Sequence, residues 1–496
     1  MSGKTLIENL KEINSQISDL FLLANPFFRL TKPTEENLSK YKDYKKRYMN
    51  LKTFFNIIRF PLIVIAQALW NISLSLITPW EWYPRQELGS QNNNLVGLSQ
   101  VTTANPKFTA DPLLGQIPMQ LNQNDSLAMF YLNGTRISRG VLRKLLLCQD
   151  LKEVAINSKT LSPFETIYVQ FLNFKASLIL IKLVVKSNDK SAEKLYLFSE
   201  GLIYQFRRPT FANLVLLRRL GKVLEKNHTK VLFFTLEGHA HEAMVITLIK
   251  TTFPEVHIKA IQHAPIVLSQ SGYFENLILL RQSDSVLCTG EIPKEFTLSY
   301  LENQTDSCRD VKVIGSSKSQ QIFSSVDIAL NRTPGSILFL PEGTEKSTIE
   351  FLCLFRYFAR IFPDIQFVIR LHPAASSTIG VKKLLNEPGL NNAKISESSL
   401  SGDLCRAAYC VYRGTAAAIE GLAYRVIPIH YNNNAFYDLD PILMRLMDHP
   451  TAESIEKLYK IFQELSVNNS LLNTDSEKSL EYFNAYFAPE DIFNFY

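Results

Sequence analysis

The sequence predicts an α/β protein built of two doubly wound, Rossmann-like domains in series, preceded by a helical N-terminal segment. Three observations carry this. From about residue 95, short runs rich in Val, Ile, Leu and Phe alternate with stretches of helical spacing, the pattern of a parallel sheet covered by helices. The alternation breaks at "NRTPG" (331–335) and then begins again. Several apolar runs stop at charged or glycine-containing loops, as strands do at the carboxyl edge of an open sheet, where ligands bind.

The 496 residues exceed what a single core organises. The expected divisions are 1–90, a helical and membrane-proximal segment; 91–330 and 331–450, the paired domains; and 451–496, a terminal helix and tail. Hydrophobic residues make up 46% and charged residues 20%, which excludes a disordered chain. A net charge of +6 spread over this length gives no reason to expect nucleic acid. The six cysteines (Cys148, Cys288, Cys308, Cys353, Cys405 and Cys410) form no CxxC pair, so reduced thiols in a cytoplasmic protein are expected. Glu8, Lys11, Glu12 and Asp19 argue against a cleavable signal peptide.

In chain order, Leu6, Leu10, Ile13, Ile17 and Leu20 give residues 4–28 an amphipathic helical spacing. A basic segment (40–52) leads into "FPLIVIAQALWNISLSLIT" (60–78), 19 residues without a charge, close to the ~20 that span a bilayer. Its Gln, Asn, Ser and Thr are polar for a span. The stretch therefore reads as a helix on the membrane interface, as a span, or as plain core packing. "GSQNNN" (89–94) is a linker by composition. Strands are expected at 95–101, 127–134, 194–199, 230–238, 257–264, 285–290 and 311–315. Helices are expected at 209–226 and 240–251. The second series has strands at 336–343, 365–373, 393–398, 408–414 and 425–431, and helices near 346–361, 401–407 and 415–423. Residues 451–466 read as a terminal helix.

The polar residues of the second series gather after its strands. "PEGTEKS" (341–347), "RLHP" (370–373) and "YRGTAAAIEG" (412–421) follow the first, second and fourth. Glu342, Gly343, Arg370, His372, Arg413, Gly414, Thr415 and Glu420 are thus predicted to crowd one sheet edge. Gly414 permits a tight turn and Thr415 can cap a helix whose first turn is alanine. Small residues let an anion approach exposed N–H groups. Arg370 and Arg413 can add charge-assisted bonds to a diphosphate, and Glu420 can accept ribose hydroxyls. The competing reading is tight helix–sheet packing with a solvated carboxylate.

In the first series the dense spot is "TLEGHAHEAM" (235–244). Glu237 is the first candidate for a general base and Glu242 the second, with His239 beside them. Capping of the next helix by Glu237 is the structural alternative. The histidine pair is not H-E-x-x-H, and no metal or other cofactor is expected. His263, in "QHAP" (262–265), ends the next strand and falls on the acceptor side. "DLD" (438–440) lies well after the final strand and reads as unrelated to the DxD metal motif.

The order "LPEG", "RLHP", "YRGTAAAIEGL", "VIPIHY" resembles bacterial surface-carbohydrate (capsule and O-antigen) biosynthesis proteins with the GT-B glycosyltransferase fold. It is more distantly similar to capsule Kdo transferases, sialyltransferases and polysialyltransferases. "LEG" (236–238) and "HP" (372–373) stand where the sialyltransferase-type enzymes carry an acidic motif and an HP motif. Leu236 departs from the acidic pattern, and Gly414–Thr415 replaces a serine-rich one. "FTADPLLGQIPMQL" (108–121) also looks like the surface-carbohydrate proteins, and the likeness covers roughly 94–445. The resemblance implies two domains facing a cleft and a metal-independent transferase at the cytoplasmic face of the membrane. Its donor would be a nucleotide sugar and its acceptor a polysaccharide or lipid-linked precursor. Two alternatives remain: a nucleotide-sugar epimerase or glycerophosphotransferase on the same fold, and a non-catalytic component of polysaccharide assembly.

Overall fold

The structure is a computed structural model. It describes residues 23, 25, 46–77, 95–101, 114, 117–124, 127–133, 153–156, 163–186, 192–226, 228–267, 271–302, 310–319, 335–373, 375–376, 378–385, 390–433, 439–442, 448–467 and 476–495. Most of the 4–28 helix, the 89–94 linker, most of the 331–335 break and most of 108–121 lie outside them. The chain divides into two compact units. The first comprises Met1–Gln262, Gln270–Val286 and Leu298–Val311; the second comprises His263–Ser269, Leu287–Thr297 and Lys312–Tyr496.

In chain order the elements begin with α1 (Lys46–Ile77), β1 (Leu95–Val101), α2 (Ile117–Asn124), β2 (Leu127–Asn133), β3 (Glu153–Ile156), α3 (Pro163–Lys186), α4 (Ala192–Gln205) and α5 (Arg208–Lys226). Then come β4 (Val231–Leu236), α6 (Ala240–Thr252), β5 (His257–Gln262), α7 (Ser271–Leu279), β6 (Ser285–Cys288), α8 (Glu291–Leu301) and β7 (Asp310–Val313). Their sheet runs β3-β2-β1-β4-β5-β6-β7. Pairings β3–β2, β2–β1, β1–β4 and β4–β5 are parallel. The direction of winding therefore reverses between β1 and β4, which makes the end of β4 a topological switch point.

The second series comprises β8 (Ile337–Leu340), α9 (Glu345–Ile361), β9 (Phe367–Ile369), α10 (Ile379–Leu385), β10 (Ala393–Ile395), α11 (Leu400–Arg406), β11 (Tyr409–Tyr412), α12 (Ala417–Ala423) and β12 (Ile427–Tyr431). It closes with β13 (Thr451–Ala452), α13 (Ile455–Val467) and α14 (Ser476–Tyr486). This sheet runs β10-β9-β8-β11-β12-β13, parallel throughout. Its winding reverses between β8 and β11. Alternate residues feed two cores, as buried parallel strands require. Ile337, Phe339, Tyr409 and Val411 join Phe351, Phe355, Phe358 and Phe462 on one face. Leu338, Leu340, Cys410 and Tyr412 join Leu422, Phe483 and Tyr486 on the other. The expected class, two Rossmann-like doubly wound units in the chain order of a GT-B protein, is the one the structure has.

The elements depart from expectation in particular places. Residues 194–199 were expected to be a strand and lie within α4. Tyr196, Leu197 and Phe198 are all buried there, and a run buried on every side carries no period that separates helix from strand. The terminal helix was expected from 451, but Thr451–Ala452 instead pairs with β12 at His430 and Tyr431. The strand β3 and the long helix α3 were not foreseen.

The C-terminal residues are woven into earlier parts of the second unit. Thr289 Oγ1 donates to Tyr486 O at 3.1 Å across 197 residues of sequence. Ala488 N donates to Thr289 O, Ser316 N to Ala488 O, and Asp491 N to Ile314 O, each at 2.8 Å. A Cβ at Gly290 would overlap the backbone of Ala485 and Tyr486, and one at Gly315 the carbonyl of Pro489.

Candidate active site

Two clusters occupy the two switch points, one in each unit. In the first unit β4 ends at Leu236, paired with Gln262 of β5. Gly238 then takes φ +88, a left-handed value in which a side chain is strained. A Cβ there would also strike the backbone of Gly272 and Tyr273. This turn delivers His239 to the N-cap of α6.

Glu242, one turn into α6, is fully buried and faces back over the turn. Its Oε1 accepts from Glu237 N at 2.9 Å; its Oε2 accepts from Gly238 N at 2.8 Å and His239 N at 3.1 Å. Asn276 of α7 donates to the same Oε2 at 2.9 Å and to His239 O at 3.1 Å. Glu242 is thus the reciprocal half of a capping box. This corrects the expectation of Glu242 as alternative base and of Glu237 as the capping residue. Four N–H donors fill the Glu242 oxygens, while the Glu237 carboxylate stays on the rim.

Glu237 Oε2 lies 3.2 Å from His239 Nε2, with side chains 21% and 32% exposed respectively. Burial pulls the His239 imidazole down, but its hydrogen bond to Glu237 and the charges of Glu242 and Glu237 outweigh this, raising it to about 9. Burial raises the Glu242 carboxyl to about 7, against His239 and its N–H donors. His241 stacks on His239 with ring centroids 5.4 Å apart. Burial and that neighbour lower it to about 3, so it is neutral. The rim therefore presents a protonated imidazole hydrogen-bonded to a carboxylate. His263 follows β5 directly and is half-buried.

In the second unit, the loops after β8 and β11 meet at the switch point. Arg413, buried, donates through Nη2 to Glu342 Oε2 at 2.8 Å and through Nη1 to Glu350 Oε2 at 3.4 Å. Glu350 of α9 also accepts from Asn433. Glu342 is 3% exposed, and among the described residues no donor reaches its buried Oε1. That oxygen lies over Gly414, where a Cβ would overlap it and stand 3.1 Å from Leu439 Cβ. His372, exposed, lies over Gly343: a Cβ there would be 2.9 Å from His372 Nδ1. Thr415 Oγ1 accepts from Ala417 N at 3.3 Å, and Glu420 pairs with Lys318 at 2.9 Å.

The structure therefore gathers Glu342, Gly343, His372, Arg413 and Gly414. Arg370 points elsewhere: its Nη1 donates to Asp403 Oδ2 at 3.0 Å and to Ser398 O. Both arginines expected on a diphosphate are bonded within the protein, Arg413 to the buried Glu342 and the half-buried Glu350 and Arg370 to the α11 N-terminal turn. Beneath the edge, Tyr412 Oη donates to Asp440 Oδ1 at 2.8 Å and lies 2.9 Å from His449 Nε2. His430 Nε2 reaches Arg413 O at 3.1 Å. This buried network fixes the β11 end. The "DLD" motif supplies Asp440 to it, and among the described residues no group of three or more His, Cys, Asp or Glu is placed to hold a metal ion. Asn276, Glu350, Lys318 and Asp440 had no legible spacing, because each meets its partner only in the folded chain.

No family model and no curated protein matches the chain. Solved structures that it resembles include UDP-GlcNAc 2-epimerase from Neisseria meningitidis bound to UDP-GlcNAc (11% identity, 79% of this chain, 94% of that one, TM-score 0.42). Another is UDP-N-acetylglucosamine 2-epimerase from Rickettsia bellii (10%, 79%, 93%, 0.45). A third is α,α-trehalose 6-phosphate synthase from Burkholderia multivorans (9%, 79%, 91%, 0.43). Likenesses of this size carry neither activity nor substrate over to this chain.

Proposed function

We propose that the protein is a glycosyltransferase that moves a sugar from a nucleotide-activated donor to a hydroxyl of a surface polysaccharide or its lipid-linked precursor. The observation that carries this reading is the β8–β11 edge: an open parallel sheet whose switch point holds an exposed histidine over Gly343 and, over Gly414, a buried carboxylate oxygen that no described donor reaches. Switch points of such sheets are where nucleotides bind. In this reading Gly343 and Gly414 leave room for the His372 and Glu342 side chains that would face the donor, and His372 donates to the diphosphate. Glu342 Oε1 accepts from a donor hydroxyl or base N–H, and Arg413 holds Glu342 in place. Glu420 accepts from the ribose.

Glu237 takes the proton of the acceptor hydroxyl as its oxygen bonds to the anomeric carbon and the bond to the diphosphate breaks. His239, charged up to about pH 9, keeps its own proton, which leaves Glu237 as the acceptor of the pair. No step calls on a metal.

Thermal-shift titration with UDP, CMP, CDP and GDP tests the donor site. A nucleotide at 100 times its dissociation constant stabilises by about 2.7 kcal/mol. His372→Ala should lower that affinity about tenfold or more, as loss of a charge-assisted hydrogen bond does. Equal affinity in the variant removes the assignment. Incubation with nucleotide sugar alone separates the epimerase: turnover without any acceptor would replace the transferase reading.

A further inference from the structure

The helices α1 and α3 of the first unit are built inside out. Along α3, Thr166, Gln170, Asn173 and Ser177 recur at helical spacing and are buried. Asn173 Nδ2 donates to Gln205 O at 2.8 Å, and Gln205 Nε2 returns a bond to Asn173 Oδ1 at 2.6 Å. The opposite stripe, Phe164, Ile167, Phe171, Phe174 and Leu178, is exposed, Phe171 by 62%. The neighbouring α1, which packs on α3 and α4, repeats the design. Asn56 is buried and donates to Glu200 Oε1 at 2.8 Å and Ser199 Oγ at 3.1 Å. Phe54, Ile58, Leu62, Ile65 and Leu69 are exposed, Leu62 by 67%. A water-facing helix has the reverse polarity.

Charge says what covers this face. α1 contains Lys46, Arg47, Lys52 and Arg59 and no acid. α3 contains Lys175, Lys182 and Lys186 against Glu165 alone, and Glu165 is paired with Lys222 of α5. Of these basic residues Arg59, Lys175 and Lys182 are exposed beside the apolar stripes, and among the described residues the two helices offer no unpaired carboxylate. A second copy of the chain, meeting it across a two-fold axis, would set like charges against one another. Anionic lipid head groups meet both features at once: acyl chains take the apolar stripes and phosphates the lysines.

We propose that the outward faces of α1 and α3 together form a docking surface for an anionic bilayer, on which the two helices lie flat. Asn173 and Ser177 of the inner row of α3 bond within the protein, so the helix lies along the surface and does not cross it. This extends the membrane contact expected from residues 40–78 to a second helix, whose stretch Phe164–Leu183 is long and apolar enough to cross a membrane, and it holds whether or not the chain transfers sugars.

Flotation of the full-length protein with phosphatidylcholine vesicles, plain or containing about one-third phosphatidylglycerol, tests it. The protein should float with the anionic vesicles, and the bound fraction should fall severalfold between about 0.1 M and about 0.5 M salt. Phe171→Glu with Leu178→Glu should reduce binding at least ~10-fold while the thermal midpoint holds, since both side chains are exposed. Lys175→Glu with Lys182→Glu, a pair of surface lysines that tests the charge independently, should remove the preference for anionic vesicles. Ile379→Glu, which alters an exposed apolar residue of the other unit, should change nothing. Wild-type protein that floats with neither vesicle overturns the proposal. So do lysine variants that bind as wild type, or a wild-type dimer that the Phe171/Leu178 variant dissociates without any lipid binding.

Discussion

The two switch-point clusters use their carboxylates in opposite ways. At the end of β4, the buried Glu242 is filled by N–H donors of the turn and of Asn276. The pair Glu237 and His239, proposed above to carry the chemistry, lies at the rim. At the β8–β11 edge the buried Glu342 is held by one arginine and keeps an oxygen that no described donor reaches. The first edge is internally complete and offers a proton acceptor; the second has an acceptor unfilled. A buried carboxylate is thus filled by donors in one place and left with an oxygen that no described donor reaches in the other, and the difference lies in the count of donors, not in burial.

The sharpest test of this contrast is Glu237→Gln. It keeps the shape and removes proton acceptance, so steady-state turnover should fall about 10²–10⁴-fold with nucleotide affinity unchanged by calorimetry. Full turnover in the variant would break the assignment of chemistry to the first edge.

Next in size is Arg413→Met, which strands the buried Glu342 and the half-buried Glu350. Urea denaturation should show a loss of about 3–5 kcal/mol, the cost of breaking a buried pair from one side. Gly414→Ala should cost less, about 1–3 kcal/mol by the same measurement, because its methyl group must displace Glu342 or Leu439. The nucleotide-induced thermal shift should shrink with it. A shift kept at its wild-type size would mean that Glu342 Oε1 faces no ligand.

The smallest expected effect is a pH dependence. His239 is raised from 6.5 to about 9 in the fold, so its stabilising contribution is complete below about pH 6.5 and is lost as pH rises towards 9. Glu242, an acid raised to about 7, acts in the same direction between about pH 4.5 and 7, because the folded state there holds the extra proton. The thermal midpoint should decline from pH 6.5 to 9 in the wild type and stay flatter in His239→Gln.

The strands and their polar ends were legible because a parallel strand writes itself as an uninterrupted apolar run with an abrupt stop. The cluster Glu342, Gly343, His372, Arg413 and Gly414 followed from those stops alone. What each residue does there was not legible. Arg413 and Glu342 are 71 positions apart, and nothing in either loop announces that the arginine serves a carboxylate of its own chain. Glu237 and Glu242 are alike in sequence and differ only in which one the turn at Gly238 folds back upon. The α3 helix failed differently: spacing shows that a helix has two faces, but only packing against α1 and α4 shows that the apolar one faces outward.

The weaving of the C-terminal residues into the segment around Thr289 has a consequence for the order of assembly on the ribosome. Thr289 leaves the ribosome nearly two hundred residues ahead of its partner Tyr486. At ~5–20 residues per second this interval is on the order of 10–40 s. Throughout it, the carbonyl of Thr289, the backbone flanking Gly290 and the amide of Ser316 are without the strand of chain that completes them. The second sheet can form in that time, but its last buried seam closes only once the residues from Tyr486 to Asp491 have emerged. A chain cut before residue 485 would hold every residue of both switch-point clusters and still lack the clasp that shuts one of its domains.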